Sequence, residues 1–174
     1  SPRQAERVLL VTVDALGFKE LAQGVRLAAL QREYGTWITS VFPTITSAAL
    51  TSLYQSLPPS RHGVLGHLIW KDFPGGIVDM LRMKVPDAPA TLAASGFDIR
   101  QWQREPGLLD VLSQPSLPPT TQPQPALPGY HLMPRDIVES GLSQFSYGAT
   151  KRVGYADLLE GLTKAGRMLC DHPR

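Results

Sequence analysis

Apolar residues arrive in two rhythms along this chain, and the switches between them mark out its elements. Val8 to Val13 is a nearly unbroken apolar, β-branched run ending at Asp14, the pattern of a strand buried on both faces in a parallel sheet. After Gly17 the apolar positions Phe18, Leu21, Ala22, Val25, Ala28 and Ala29 recur at helical spacing up to Tyr34, and Gly35 suits the helix C-cap. Thr36 to Phe42 reads as a second strand cut off by Pro43, and Ser47 to Leu57 as a helix stopped by Pro58-Pro59. On that helix Leu50, Leu53, Tyr54 and Leu57 form a stripe expected to face the core. Two strand-to-helix junctions in succession predict an α/β fold.

Beyond this point the rhythm loosens. From Gly63 to Val85 glycines and alternating apolar residues predict irregular strands or a meander, and Ala88 to Ala94 predicts a short helix ended by Gly96. Residues 114–128 carry too many prolines for a helix or central strand and read as a surface loop or insertion. Pro134 to Gly141 predicts another short helix. Tyr155, Leu158, Leu159, Leu162, Ala165 and Leu169 form an amphipathic stripe expected to pack on the sheet. No internal repeat and no glycine-rich phosphate loop occurs.

Composition narrows the classes without naming one. An apolar content of 43% over 174 residues is enough for one domain with a core. A net charge of +2 gives no electrostatic footprint for nucleic acid or a membrane. The single cysteine, Cys170, excludes an internal disulfide framework and reads as a buried or half-buried helix residue. No apolar run reaches the length of a membrane span, and with no apolar leader a cytoplasmic setting is favoured.

The residues with chemistry stand at the two junctions. Ligands of open α/β sheets gather at the carboxyl ends of strands, so Asp14 is placed to hold a metal or, equally, to cap the next helix. Thr46 stands at the second junction, where helix N–H groups and the helix dipole favour an anion; Thr44, Thr46 and Ser47 compete for the plainer role of N-cap. An alcohol is a poor nucleophile near neutral pH, so catalysis at Thr46 requires a cation to make the alkoxide accessible.

Three blocks, Val11-Thr12-Val13-Asp14-Ala15-Leu16-Gly17, Phe42-Pro43-Thr44-Ile45-Thr46 and Leu57-Pro58-Pro59-Ser60-Arg61-His62-Gly63-Val64, together resemble the type I phosphodiesterase and nucleotide pyrophosphatase family of the alkaline phosphatase superfamily. The resemblance implies an alkaline-phosphatase-like α/β core, with a mainly parallel sheet flanked by helices, incomplete in this chain. It implies two divalent cations, zinc by family habit, with Asp14 as one ligand and Thr46 as both metal contact and nucleophile. Where nucleotide-hydrolysing members place an asparagine that binds a phosphoryl oxygen, this chain has His67; its imidazole either makes that hydrogen bond or makes no phosphate contact. His62-Gly63 is implied to serve the turn beyond the nucleophile helix.

The family's later ligands, an Asp-x-x-x-His block, an Asp-His pair followed by glycine and a final histidine, do not occur here. Asp171-His172 is followed by Pro173 and reads as a solvated helix exit, and His131 is not expected to bind metal. The whole chain is therefore expected to be the N-terminal portion of a single catalytic domain, with little turnover by itself. The implied substrates are small phosphodiesters, pyrophosphate-linked nucleotides or phosphomonoesters. The formylglycine motif of arylsulfatases is absent. The rival expectation is a noncatalytic α/β interaction or structural module in which Asp14 and Thr46 are helix caps.

Overall fold

The computed structural model describes residues 7–36, 38–102, 105–113, 129–148 and 150–171. They fall into two compact units, Ser1–Ser40 and Val41–Arg174. The proline-dense segment 114–128 lies outside the described residues.

In the first unit the single helix expected after Gly17 is two, α1 (Phe18–Gln23) and α2 (Val25–Tyr34). Gly24 separates them with extended angles, φ −85 and ψ 115, and its N–H donates to the Leu21 carbonyl at 3.3 Å. Glycine inside a helix costs about 1 kcal/mol relative to alanine, which favours the break there. Gly35 does cap α2, donating its N–H to Gln31 at 2.8 Å, but from extended rather than left-handed backbone.

The strand expected at Val8 to Val13 is not formed. The run joins no ladder among the described residues, and Val8, Leu10 and Val13 are 78, 61 and 57% exposed. A strand exists only when a neighbour supplies the opposing N–H and C=O groups, and apolar patterning specifies burial without supplying that neighbour. The same correction applies at Thr36 to Phe42, where Ile38 and Phe42 stand exposed outside any ladder; Trp37 lies outside the described residues.

The second unit opens with α3 (Thr46–Gln55), which ends at Ser56 in the left-handed region, φ 53. Pro59 starts the one-turn α4 (Pro59–His62), a position where its missing N–H has no helical partner to lose. Gly63, φ 72, turns the chain out of it. The expected meander is an antiparallel hairpin of β1 (Leu68–Lys71) and β2 (Gly76–Asp79), paired from Leu68↔Asp79 to Lys71↔Gly76. Its two-residue period sends Ile69 and Val78 inward and leaves Leu68, Trp70 and Ile77 exposed.

Inward, Val64, Val78, Met80, Met83, Leu92, Ile99 and Phe145 form the core, with Ile69, Phe97 and Trp102 packed against it. The short helix expected at Ala88 to Ala94 is a series of turns. One i→i+4 bond, Ser95 N–H to Thr91 carbonyl at 3.1 Å, closes there, and Thr91 Oγ1 takes the Ala94 N–H at 3.2 Å in competition with helix propagation. A 3₁₀ turn at Ile99–Trp102 and α5 (Leu108–Leu112) follow.

The second sheet pairs β3 (Tyr130–Pro134) with β4 (Lys151–Tyr155) in parallel, Tyr130 opposite Lys151 and Pro134 opposite Tyr155. Between them lie a 3₁₀ turn, Arg135–Ile137, and α6 (Gly141–Ser146). The helix expected from Pro134 to Gly141 is thus displaced, because Pro134 ends β3 and Ser140 caps α6 by accepting the Ser143 N–H at 3.2 Å. Asp110 of α5 fastens this region: its carboxylate accepts from Gly107 N–H at 3.1 Å and from Thr150 Oγ1 at 3.0 Å.

The last helix, α7 (Leu158–Asp171), packs on β3 and β4 as expected, but through one edge of the expected stripe, at Ala165, and the neighbouring Gly161. Gly161 and Ala165 are buried, a Cβ at Gly161 would press on the Tyr155 ring, and Lys164 Nζ donates to the Gly154 carbonyl at 2.7 Å. Leu158, Leu159 and Leu162 stay 70, 76 and 51% exposed. Small residues admit the closest approach to the sheet, so the narrow edge of the apolar arc is the one covered. Cys170, expected to be at least half-buried, is exposed near the end of this helix. The described residues thus form an α/β protein of helices with two small sheets, one antiparallel and one parallel.

Candidate functional site

Asp14 belongs to the first unit and sits in a tight, exposed turn. Its Oδ1 accepts the Ala15 N–H at 3.0 Å, and Ala15 holds φ 58. A residue with a Cβ loses roughly 1 kcal/mol or more in that left-handed region. The next helix, α1, has Gly17 at its N-cap, which has no side chain to cap it.

In the second unit Thr46 is the first residue of α3 and is half-buried. The N-cap is Ile45, whose carbonyl accepts the Ala49 N–H at 2.9 Å and which carries no side-chain cap. The N–H groups of the first turn have no partners within the helix and lie at the positive end of its dipole. Directly after Thr46, Ser47 is fully buried and donates its hydroxyl to the Gly66 carbonyl at 3.1 Å. That bond draws the segment before β1 against the start of α3. His67, next to Gly66, is exposed, and its carbonyl accepts the Met80 N–H at 2.7 Å, which fixes its backbone to the end of the hairpin. One hydrogen bond therefore joins the immediate neighbours of Thr46 and His67.

His62 spends both ring nitrogens on architecture. Nδ1 accepts the Val64 N–H at 3.0 Å, so Nε2 carries the proton and donates to Ser52 Oγ at 2.8 Å. Burial lowers its pKa below the usual histidine value, the Ala48 carbonyl opposes this, and the Lys71 charge adds to the lowering. The neutral ring thus pins the turn after α4 to α3. Asp171 is the exposed last residue of α7, and His172 lies outside the described residues.

His131, on β3, is buried with its ring 4.9 Å from that of Tyr54 and 4.3 Å from that of Tyr147. Burial depresses its pKa to about 4, opposed by the Asp110 carboxylate and aided by the Arg152 charge. Burial also raises the Tyr147 phenol, and charge repulsion from the Tyr54 phenolate adds to the effect. Both groups are neutral near pH 7.

Reading the apolar pattern alone missed a polar seam between α3 and α6. Thr51 Oγ1 and Ser146 Oγ lie 2.9 Å apart, and Gln55 Nε2 donates to the Phe145 carbonyl at 3.0 Å. Ser47, Thr51 and Gln55 recur every four residues, so they share one helical face; that polar stripe is the one sequence signal available, and it marks the face α3 buries. Also missed was an open cleft between the turn before Ile99 and the start of β4, lined by Arg100, Lys151 and Arg152 among others. Its only trace in sequence is a basic pair opening a strand.

Asp14 in the first unit offers a carboxylate and Thr46 in the second a hydroxyl, each an oxygen donor of the kind divalent cations take. Among the described residues no three of His, Cys, Asp and Glu come together as a metal-binding group. No helix among them is long and apolar enough to cross a membrane. Comparison with family models, with curated proteins and with solved structures finds no match to this chain.

Proposed function

We propose that this chain carries the nucleophile of a metal-dependent phosphodiesterase or nucleotide-pyrophosphatase-type hydrolase, with Thr46 as nucleophile, on an alkaline-phosphatase-like core. The observation that supports this reading best is the arrangement at the start of α3. Thr46 occupies the first turn of a ten-residue helix with no side-chain cap, and the Ser47–Gly66 hydrogen bond links the residues next in sequence to Thr46 and His67. The strained turn at Asp14–Ala15 adds support, since such backbone persists mainly where a site demands it. Substrates in this reading are small phosphodiesters or pyrophosphate-linked nucleotides.

The chemistry follows from those residues. Thr46 Oγ1 attacks phosphorus in line; its bond to phosphorus forms as the bond to the leaving oxygen breaks, its proton passes to that oxygen or to solvent, and the phosphoryl group stays on Thr46 with any second ester it carried, as a phospho-threonine or nucleotidyl-threonine. Water then attacks the same phosphorus and restores the hydroxyl. The first-turn N–H groups of α3 and, when it donates, the His67 ring stabilise the charge that develops on the phosphoryl oxygens. Asp14 and Thr46 would each contribute to holding divalent cations, zinc in this proposal, which would supply the positive charge that lowers the alcohol's pKa. Their remaining ligands must come from outside the described residues.

Hydrolysis of bis-p-nitrophenyl phosphate by the full-length protein, with Zn²⁺ or Mn²⁺ added, tests the proposal. Thr46→Ala is expected to remove turnover by about three orders of magnitude or more, and Thr46→Ser, which keeps a hydroxyl, to retain part of it. Mass spectrometry of acid-quenched reactions is expected to find a p-nitrophenylphosphoryl group on the peptide containing Thr46. Metal-dependent turnover that survives in Thr46→Ala would sink the assignment.

A further inference from the structure

The open cleft missed by the sequence reading has a volume of about 680 Å³ and lies wholly within the second unit. Its walls bring together the turn ending at the 3₁₀ helix Ile99–Trp102, residues flanking and within α6, and the start of β4. Five charged side chains line it: Asp98, Arg100, Glu139, Lys151 and Arg152.

These charges are not equally engaged. Arg100 is closed upon Asp98, with Nε and Nη2 each donating at 2.9 Å, one to either carboxylate oxygen, so that pair neutralises itself. Arg152 is served poorly. Nη2 reaches Glu139 Oε2 at 3.3 Å and Nη1 reaches the Gly148 carbonyl at 3.4 Å, against roughly 2.7–2.9 Å for a well-made charge-assisted bond. Its Nε is buried with no hydrogen-bond partner among the described residues.

Mobility is also unequal across this ion pair. The Arg152 side chain is 18% exposed and the Glu139 side chain 73%, so the guanidinium is the held member and the carboxylate the one free to swing away. Lys151, on the neighbouring strand position, adds a second cationic group to the wall, 6.0 Å from the centre of the Tyr130 ring. A buried donor left unpaired is costly, and native proteins meet that cost with water, an ion or a ligand.

We propose that this cleft is a binding site for a small oxyanion of the phosphate class, seated on Arg152 and Lys151, with Glu139 as the occupant that the anion displaces. The guanidinium fork matches two oxygens of such an anion, a geometry the single long contact to Glu139 does not use. This site is separate from the start of α3, and the inference does not rest on Thr46 being a nucleophile.

Calorimetric titration of inorganic phosphate into the full chain, with EDTA present to keep trace metals from contributing, provides the test. Saturable binding by the wild type is expected. Glu139→Gln, at an exposed position that folding tolerates, is expected to tighten it about 2- to 5-fold by removing the competing carboxylate. Arg152→Gln is expected to weaken it about 10-fold or more, with circular dichroism confirming the fold. The proposal is overturned by any of three results: no saturable binding in the wild type, no tightening in Glu139→Gln, or undiminished binding in a folded Arg152→Gln. If Arg152→Gln unfolds, Glu139→Gln still decides the matter.

Discussion

Acidifying the protein from pH 7 to pH 4 is expected to destabilise the second unit through His131. An unfolded chain takes up a proton on this ring near pH 6.5, whereas the folded one resists until about pH 4, because the imidazolium would be buried on β3 between the Tyr54 and Tyr147 rings. Between those values the unfolded state binds more protons, so stability rises with pH across the window and falls as pH drops through it. Above pH 6.5 the group contributes no pH dependence, and below about 4 its contribution is fully lost. At 1.36 kcal/mol for each tenfold change in proton affinity, the gap corresponds to about 3 kcal/mol. Partial solvent screening at the edge of the site brings the expected figure to about 2 kcal/mol.

Urea unfolding measured at pH 7, 6, 5 and 4 reads this directly, provided it is compared with His131→Phe. The comparison is necessary because His62 also has a lowered pKa, and Asp79, Asp98 and Glu160, whose pKa values the fold lowers, lose stability in acid as well. A phenyl ring keeps the aromatic contacts and removes the proton site. The stability difference, wild type minus variant, is expected to fall by about 2 kcal/mol between pH 7 and pH 4. If that difference stays constant across the series, His131 is not a buried neutral histidine and the account of β3 is wrong.

Three substitutions probe the packing that positions α6. Phe145→Ala removes a fully buried ring from the core and is expected to cost about 3–5 kcal/mol in chemical denaturation; a loss below about 1 kcal/mol would place α6 outside the core. Ser140→Ala deletes the N-cap of the same helix and is expected to cost about 1 kcal/mol, with Ser140→Asp recovering most of it. Gly141→Ala is expected to be far worse than its one added carbon, because the new Cβ would collide with the Met83 side chain and come 2.7 Å from the Arg82 carbonyl carbon. A thermal unfolding midpoint unchanged in Gly141→Ala would show that this contact is looser than the structure has it.

Sequence alone determined those features that short-range physics controls. Pro43 before and Pro58-Pro59 after a run of good helix formers bracket α3 to within two residues at either end. The glycine-rich stretch with alternating apolar residues became the hairpin, since a two-residue period and a tight turn are local properties. Gly35 marks a helix end because few other residues accept the close approach to the Gln31 carbonyl required there. Thr46 and His67 were named from their blocks, and Thr46 was placed at a helix start from pattern.

Only the tertiary structure decided the rest, and in each instance the missing information lay in a distant segment. Val8 to Val13 has the composition of a buried strand, yet a strand is a pairing, and no partner among the described residues completes it. The amphipathic pattern of α7 shows an apolar arc but not which edge meets the sheet; Gly161 and Ala165 win because they admit the Tyr155 ring and the Gly154 carbonyl. His131 carries no mark of burial in its neighbours along the chain, and its depressed pKa arises first from burial, against rings that include Tyr54 of α3, and then from the Arg152 charge on β4, which outweigh the opposing Asp110 carboxylate of α5. The same holds for the start of α3. Sequence supplied the hydroxyl of Thr46, and only the fold supplied the hydrogen bond from Ser47 to Gly66 that joins the segment before β1 to the start of α3.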